Sequence, residues 1–169
     1  ASILAKSERK VLLLELDLHK PRVHKALNIS SEKGISTIVI GKNNIEECIM
    51  KSSIENLDVL LSGPLPPNAS ELILSKRMTE IINYGRKHYD YLIIDTPPVG
   101  LISDALALMK YADVNLYVIN TKSPSRESIA NANEIVANNK INNLGVILNG
   151  VKRKKSKYYY NRYAYGYGY

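Results

Sequence analysis

Short apolar segments recur along the chain and predict its architecture. There are five, at residues Val11–Leu16, Leu57–Leu61, Tyr91–Asp95, Asn115–Ile119 and Leu144–Leu148. Most are runs of Leu, Ile and Val without polar alternation, as in strands that are covered on both faces. The pattern therefore predicts buried β-strands with helices packed on either side.

Helical spacing occurs between these segments. Asn68 and Glu71 have the spacing of a capping box, and the apolar face that follows consists of Leu74, Met78, Ile81, Ile82 and Gly85. Ser123-Pro124 is typical of a second helix start, and its apolar face would hold Ile129, Ala132 and Val136. Strands that alternate with helices predict a doubly wound α/β fold with a mainly parallel sheet and right-handed crossovers.

The two ends of the chain differ from its middle. Residues Ala1–Ser7 resemble the end of a helix, and because two turns make a weak isolated helix, we expect the chain to begin partway through a domain. Near Val151 the composition changes to Lys and Arg and then to Tyr and Gly. The sequence thus predicts one domain at residues 1–151 and a disordered, basic, tyrosine-rich tail at residues 152–169.

The net charge of +7 belongs almost entirely to that tail. Six Lys and Arg and no acidic residue lie in residues 152–169, which leaves +1 for residues 1–151. A basic patch for nucleic acid or an anionic membrane is therefore not expected on the domain itself. The single cysteine, Cys48, fits a reducing compartment and a buried apolar role.

The aromatic residues are all tyrosines, with no Phe and no Trp. Seven of the twelve lie in the last twelve residues: Tyr158, Tyr159, Tyr160, Tyr163, Tyr165, Tyr167 and Tyr169. Gly, Ala and Asn separate them, which is not the composition of a core. Taken alone, the tail could be a low-complexity segment, an edge strand or a single-stranded nucleic-acid binder.

Acidic residues stand where two of the strands end. Glu15 and Asp17 follow the first apolar run, and Asp95 closes the third. Ligands of open parallel sheets bind beyond the carboxyl ends of the strands. A carboxylate there needs a partner, and a Mg²⁺–phosphate group supplies one. The alternative is that each acid only caps the following loop.

In this order the residues resemble the kinase domain of the bacterial tyrosine kinases, in particular the form fused to polysaccharide co-polymerase membrane proteins. The segment Glu15-Leu-Asp17-Leu-His19-Lys-Pro21 resembles the second Walker segment of that family, D-x-D-x-R-x-P. Four further segments match in order: Gly63–Leu72 with G-x-x-P-P-N-P-S-E-L, Leu92–Pro98 with the Walker B strand, Ser103-Asp104-Ala105 with the D-A that follows it, and Gly145–Asn149 with the last strand.

The resemblance implies ATP-dependent phosphorylation of tyrosine hydroxyls on a P-loop NTPase-like scaffold, with ATP and Mg²⁺ as cofactors. It gives catalytic roles to Glu15, which helps to activate the hydroxyl, and to Asp17. Asp17 and Asp95 hold Mg²⁺ through water. Asn149 matches a position near the adenine, although a turn role is equally compatible. Asp104 either hydrogen-bonds within the site or caps the next helix, and we favour the cap.

The resemblance also implies partners and a location. The tail tyrosines become autophosphorylation sites, with the tail of one subunit in the site of the next in a homo-oligomeric ring. A transmembrane polysaccharide co-polymerase segment or activator and a tyrosine phosphatase are expected partners, and no nucleic acid is. The domain itself is expected to be soluble, at the cytoplasmic face of the bacterial inner membrane, and to regulate exopolysaccharide or capsule synthesis and export.

Three departures weaken the expectation of full activity. The 169 residues contain no G-x-x-x-x-G-K-[ST] segment, whose N–H groups and Lys bind phosphates. We expect that segment upstream, and the chain alone to bind ATP poorly. Glu15 replaces the Asp of the family, and His19 replaces its Arg. Two other functions stay open: a non-catalytic pseudokinase module and a P-loop ATPase switch of the partitioning type.

Overall fold

The structure is a computed structural model that describes residues 1–30, 32–66, 69–99, 104–122, 126–139 and 141–151. Four sequence predictions lie outside these ranges. They are the Asn68 cap, the Ser103 position, the Ser123-Pro124 helix start and the whole tail from residue 152, with its seven tyrosines. Contact density divides the chain into two units, residues 1–112 and residues 113–169.

The described residues form eight helices and six strands. The described helices are α1 (Ser2–Lys6), α2 (Val23–Leu27), α3 (Ile35–Val39), α4 (Ile45–Cys48), α5 (Ala69–Ile73), α6 (Lys76–His88), α7 (Asp104–Met109) and α8 (Arg126–Asn139). The described strands are β1 (Val11–Glu15), β2 (Ile49–Lys51), β3 (Leu57–Leu60), β4 (Tyr91–Asp95), β5 (Asn115–Asn120) and β6 (Leu144–Asn149). All five predicted strands exist, with ends that differ by at most one residue. The predicted burial holds for β1 and β3, whereas β4, β5 and β6 are partly exposed, so that part of the prediction was wrong.

A four-stranded sheet organises the first unit. Its strand order is β2-β3-β1-β4, and β1 pairs in parallel with both β3 and β4. Only β2 runs antiparallel, against β3. The predicted α/β fold with a mainly parallel sheet is confirmed, and β2 is an addition that the sequence pattern did not predict.

The central position of β1 follows from its composition. Leu12 and Leu14 are completely buried, and the side chains of Met78 and Ile82 from α6 belong to the same core cluster. At about 25 cal/mol for each Å² of apolar surface removed from water, such a strand is most stable between two neighbours and under a helix. The core thus fixes the carboxyl end of β1 in the middle of the sheet edge.

The helix predicted after the Asn68 cap is two helices. The chain breaks at Leu74, which is 68% exposed, between α5 and α6. Ser75 then caps α6, because its Oγ accepts a hydrogen bond from the Met78 N–H at 3.2 Å. The placement of Leu74 on the buried face was therefore wrong, whereas Met78, Ile81, Ile82 and Gly85 do form that face.

The second unit contains β5 and β6, which pair in parallel with Asn120 opposite Asn149. Helix α8 lies between them in sequence. Its predicted apolar face was partly wrong, because Ala132 is buried together with Ile135, whereas Ile129 and Val136 are exposed. Ile135 therefore lies on the buried face in place of Val136, and helical spacing alone does not distinguish these two neighbouring positions.

Candidate active site at the carboxyl ends of β1 and β4

Strands β1 and β4 deliver acidic residues to the same edge of the sheet. Glu15 and Asp95 are the last residues of the two strands and lie opposite each other in the parallel register. The main-chain N–H of Leu16 donates to the Asp95 carbonyl oxygen at 2.8 Å, so the pairing continues past Glu15. Asp17 follows two residues later, which places three carboxylates in one neighbourhood.

The Glu15 side chain is turned inward and is completely buried. Its Oε1 accepts hydrogen bonds from the main-chain N–H groups of Arg22 and Val23, both at 2.6 Å. Its Oε2 accepts from the N–H of Ser62 at 3.3 Å and from the Ser62 Oγ–H at 3.1 Å. The carboxylate therefore joins the start of α2 to the loop after β3.

Asp17 stands on the loop between β1 and α2 and is half-buried. Its Oδ1 accepts from the main-chain N–H groups of His19 at 3.2 Å and Lys20 at 2.9 Å. This local turn fixes the carboxyl group through its own backbone, a common role of Asp in loops. Among the described residues, no hydrogen-bond donor reaches the second oxygen, Oδ2.

Asp95 carries the electrostatic signature of the site. Partial burial of the carboxyl group raises the pKa of Asp95, and the negative charges of Glu15 and Asp17 raise it further. The residue as a whole is exposed at the surface. Within the described part of the chain, no donor hydrogen-bonds to this carboxylate. A cation would relieve all of these effects.

His19 and Asp104 form a second contact next to the acids. The His19 Nε2 lies 3.1 Å from the Asp104 Oδ2, and the Asp104 side chain is only 3% exposed. Asp104 is the first residue of α7, where a negative charge is favourable. The contact links the loop that carries Asp17 to the helix that follows β4. His19 was predicted only as a replacement for Arg, and its contact with Asp104 was not predicted.

The acids fit the magnesium ion that the fold family implies. The described residues contain no group of three or more His, Cys, Asp or Glu side chains that could ligate a metal directly. Magnesium is usually held by one or two carboxylates, several waters and the phosphates of its substrate. Asp17, which has an oxygen available, and Asp95, whose pKa is raised by neighbouring negative charges, suit that arrangement. The described residues do not suit direct ligation of a metal by three side chains.

The remaining predicted site residues are Asn149 and the seven tail tyrosines. Asn149 ends β6 in the second unit, and its carbonyl oxygen accepts hydrogen bonds from the N–H and the Oγ1–H of Thr121, both at 2.9 Å. Its side chain is exposed, and its adenine role stays a prediction. The phosphorylation sites at Tyr158, Tyr159, Tyr160, Tyr163, Tyr165, Tyr167 and Tyr169 lie outside the described residues.

Sequence reasoning missed Ser62, which is 1% exposed and binds Glu15 through two donors. The information was present in the chain, because Ser62 directly follows the apolar run Leu57–Leu61. The rule that places functional groups at the carboxyl ends of parallel strands applies to β3 as it does to β1.

Fold and site together define the class as an α/β nucleotide-binding domain of the P-loop NTPase type. A family model described as an AAA domain, AAA_31, matches residues 1–146. The chain is 38% identical to the tyrosine-protein kinase YwqD of Bacillus subtilis (strain 168), over 94% of this chain and 67% of that protein. It is 33% identical to the tyrosine-protein kinase Wzc of Salmonella typhimurium, over 99% of this chain and 23% of Wzc.

Solved structures of tyrosine kinase domains are also similar to this chain. The kinase domain of the Escherichia coli tyrosine kinase ETK matches with a TM-score of 0.84 at 31% identity, over 99% of this chain and 64% of that one. The chain belongs to the bacterial tyrosine kinase family, which confirms the resemblance seen in its motifs. It spans 67% of YwqD but only 23% of Wzc.

Within the described ranges, no helix combines the length and the apolar character needed to span a bilayer.

Proposed function

We propose that this chain is the catalytic and substrate-bearing part of an ATP-dependent protein-tyrosine autokinase. Residues 1–151 form the kinase domain, and residues 152–169 form the tail that it phosphorylates. The observation that carries the proposal is the convergence of Glu15, Asp17 and Asp95 at one sheet edge, with the pKa of Asp95 raised by burial and by the other two acids. Family membership supplies the reaction.

Phosphoryl transfer requires mainly positioning and electrostatic stabilisation from the protein. In phosphoryl transfer, the bond from the γ-phosphorus to the bridging oxygen breaks as a bond to the tyrosine oxygen forms, and ADP leaves. Magnesium, when bound, neutralises charge on the phosphates. Asp17 and Asp95 would hold that ion, and the available oxygen of Asp17 would accept the proton of the tyrosine hydroxyl. His19 and Asp104 keep the Asp17 loop in place.

Phosphorylation of the tail would change its electrostatics. Each phosphate adds about −1.5 to −2 charges, so a few of them overturn the six positive charges of residues 152–169. We propose that tails react in the sites of neighbouring copies and that a tyrosine phosphatase resets them. Family membership favours a role in capsule or exopolysaccharide synthesis, at the inner membrane and beside a transmembrane activator.

One observation favours a second function, a pseudokinase that only carries the tail. Both oxygens of Glu15, at the position of the first acid of the family motif, are occupied by protein donors. In that case phosphotyrosine on the tail would depend on another, active kinase.

The test uses the full-length protein, magnesium and ATP labelled at the γ-phosphate, with transfer to tyrosine and release of free phosphate measured separately. An autokinase labels tyrosine, and Asp95→Asn abolishes the label, whereas the exposed control Glu55→Gln does not. Phosphate release without labelled tyrosine would instead support an ATPase switch of the partitioning type. Labelling that appears only after a second kinase is added would support the pseudokinase.

A further inference from the structure

We propose that Glu15 is a positioning residue, a buried clamp that holds the Asp17 loop in place, and that it does not take the proton of the tyrosine. The inference rests on the proposed kinase function and divides the roles of its acids. Glu15 is the acid that the family motif would nominate for activating the hydroxyl. In this chain its geometry serves a different purpose.

The acceptor capacity of Glu15 is already used. An ionised carboxylate offers about four acceptor sites, and four donors occupy them: the N–H groups of Arg22, Val23 and Ser62 and the hydroxyl of Ser62. The residue has no exposed surface. A tyrosine hydroxyl could therefore reach an oxygen of Glu15 only by displacing a donor from inside the protein.

Two of these four bonds enclose the reactive loop. Glu15 at one end of the loop binds the main chain of Arg22 and Val23 at the other end, so residues 16–21 form a closed ring that contains Asp17. The position of Asp17 is thus set by its own turn and by the clamp around it. Displacing the clamp moves the acid that we assign to magnesium and to the hydroxyl.

Ser62 extends the clamp to the next element. Its carbonyl oxygen accepts the N–H of Ser36 at 2.9 Å, and the carbonyl oxygen of Leu61 accepts the N–H of Ile35 at 2.9 Å. Glu15 therefore connects the start of α2 with the loop after β3, which is itself bonded to the start of α3. The Glu15 side chain is long enough to accept hydrogen bonds of ordinary length from both of these segments.

The extra methylene of Glu15 is what this span requires. An aspartate would place the carboxylate about 1 Å or more short, and displacements of this size lower rates by roughly 10²-fold. A glutamine has the length of the glutamate and keeps an oxygen for the two α2 amides. Its NH₂ group can donate to the Ser62 hydroxyl oxygen, so only the bond from the Ser62 N–H is lost.

Two variants of the full-length protein separate the roles. If Glu15 is a clamp, Glu15→Gln lowers kcat by no more than about fivefold, the effect of one ordinary hydrogen bond. Glu15→Asp lowers it by about 10²-fold and raises the magnesium concentration for half-maximal activity by roughly tenfold, as loss of an outer support of a metal site does. Glu55→Gln, an exposed site, is the matched control for loss of charge.

A second measurement does not depend on activity. Hydrogen exchange of the Arg22 and Val23 amides should accelerate roughly tenfold or more in Glu15→Asp and change little in Glu15→Gln. If the full-length protein proves to have no kinase activity, the proposed function fails and exchange alone decides the clamp. If Glu15→Asp does not fold, the kcat of Glu15→Gln decides whether Glu15 is a clamp or a proton acceptor.

The opposite pattern would overturn the proposal. A proton-accepting Glu15 would lose roughly 10²- to 10⁴-fold in kcat on replacement by Gln, with the two amides still protected. It would keep its activity as Asp, the residue that the family motif carries. Unchanged amide exchange in Glu15→Asp would also contradict the clamp.

Discussion

Asp95 lies opposite Glu15 in the parallel register of β4 and β1, and the two main chains are joined by a hydrogen bond of 2.8 Å from the Leu16 N–H to the Asp95 carbonyl oxygen. The sheet itself therefore holds two acids side by side. One of them, Glu15, is satisfied by protein donors, whereas no described donor binds the other. This asymmetry makes Asp95 the acid that opposes folding unless a cation is present.

Replacing Asp95 should stabilise the protein while abolishing its reaction. Because the pKa of Asp95 is raised in the folded chain, the stability linked to this group is present below its unfolded pKa and is lost as the pH rises through the folded pKa. We expect Asp95→Asn to raise Tm by about 1–3 °C at pH 7 without magnesium, a small gain because the group is partly solvated.

The gain in Tm of Asp95→Asn should depend on pH and on magnesium. It should vanish near pH 3, where the carboxyl group is protonated in both states, and magnesium should raise the Tm of the native protein but not that of Asp95→Asn. Thermal unfolding followed by circular dichroism measures both effects. A lower Tm for the variant at pH 7 would show that Asp95 has a protein partner.

Removing His19 alone should lower the free energy of unfolding more than removing His19 and Asp104 together. His19→Ala leaves the buried Asp104 carboxylate without a described partner, which should lower the free energy of unfolding by about 1–3 kcal/mol. His19 is 40% exposed, so water can replace Asp104 as its partner. Denaturant unfolding should therefore find the double variant with Asp104→Ala more stable than His19→Ala alone. Additive losses would contradict this account.

Close backbone packing behind the clamp leaves no room for a side chain at Gly34. A Cβ there would lie 2.5 Å from the Gly63 nitrogen and would also meet the Leu61 carbonyl oxygen. Gly34→Ala should lower the free energy of unfolding by about 1–3 kcal/mol or more. The matched control is Gly145→Ala, whose Cβ would meet Leu116 at an ordinary 3.5 Å. Equal unfolding midpoints for the two variants would show that the loops at Gly34 and Gly63 separate freely.

Strands β1 and β3 were predictable because burial on both faces leaves an unmistakable apolar run. Strand β2 was not, since Ile49–Lys51 has only three residues and no period to detect. Helices α2, α3 and α4 have four or five residues each, too few for a helical pattern. Leu74 was misplaced because spacing alone does not reveal that Ser75 begins a new helix.

The site was predictable as a location but not as a set of contacts. That acids at the ends of parallel strands meet at one edge follows from topology, so Asp17 and Asp95 could be predicted. The inward turn of Glu15 depends on Ser62, 47 residues away, and the partner of His19 is 85 residues away. Pairings over such distances in sequence come from tertiary packing, which local patterns do not encode.

The central claim is that this protein phosphorylates its own tyrosines, and mass spectrometry of the full-length protein tests it most directly. After incubation with ATP and Mg²⁺, we expect phosphate on the cluster Tyr158, Tyr159, Tyr160, Tyr163, Tyr165, Tyr167 and Tyr169. The phosphate should be absent in Asp95→Asn and present in Glu55→Gln. A native protein that binds ATP yet carries no phosphate on any of these seven tyrosines would contradict the account.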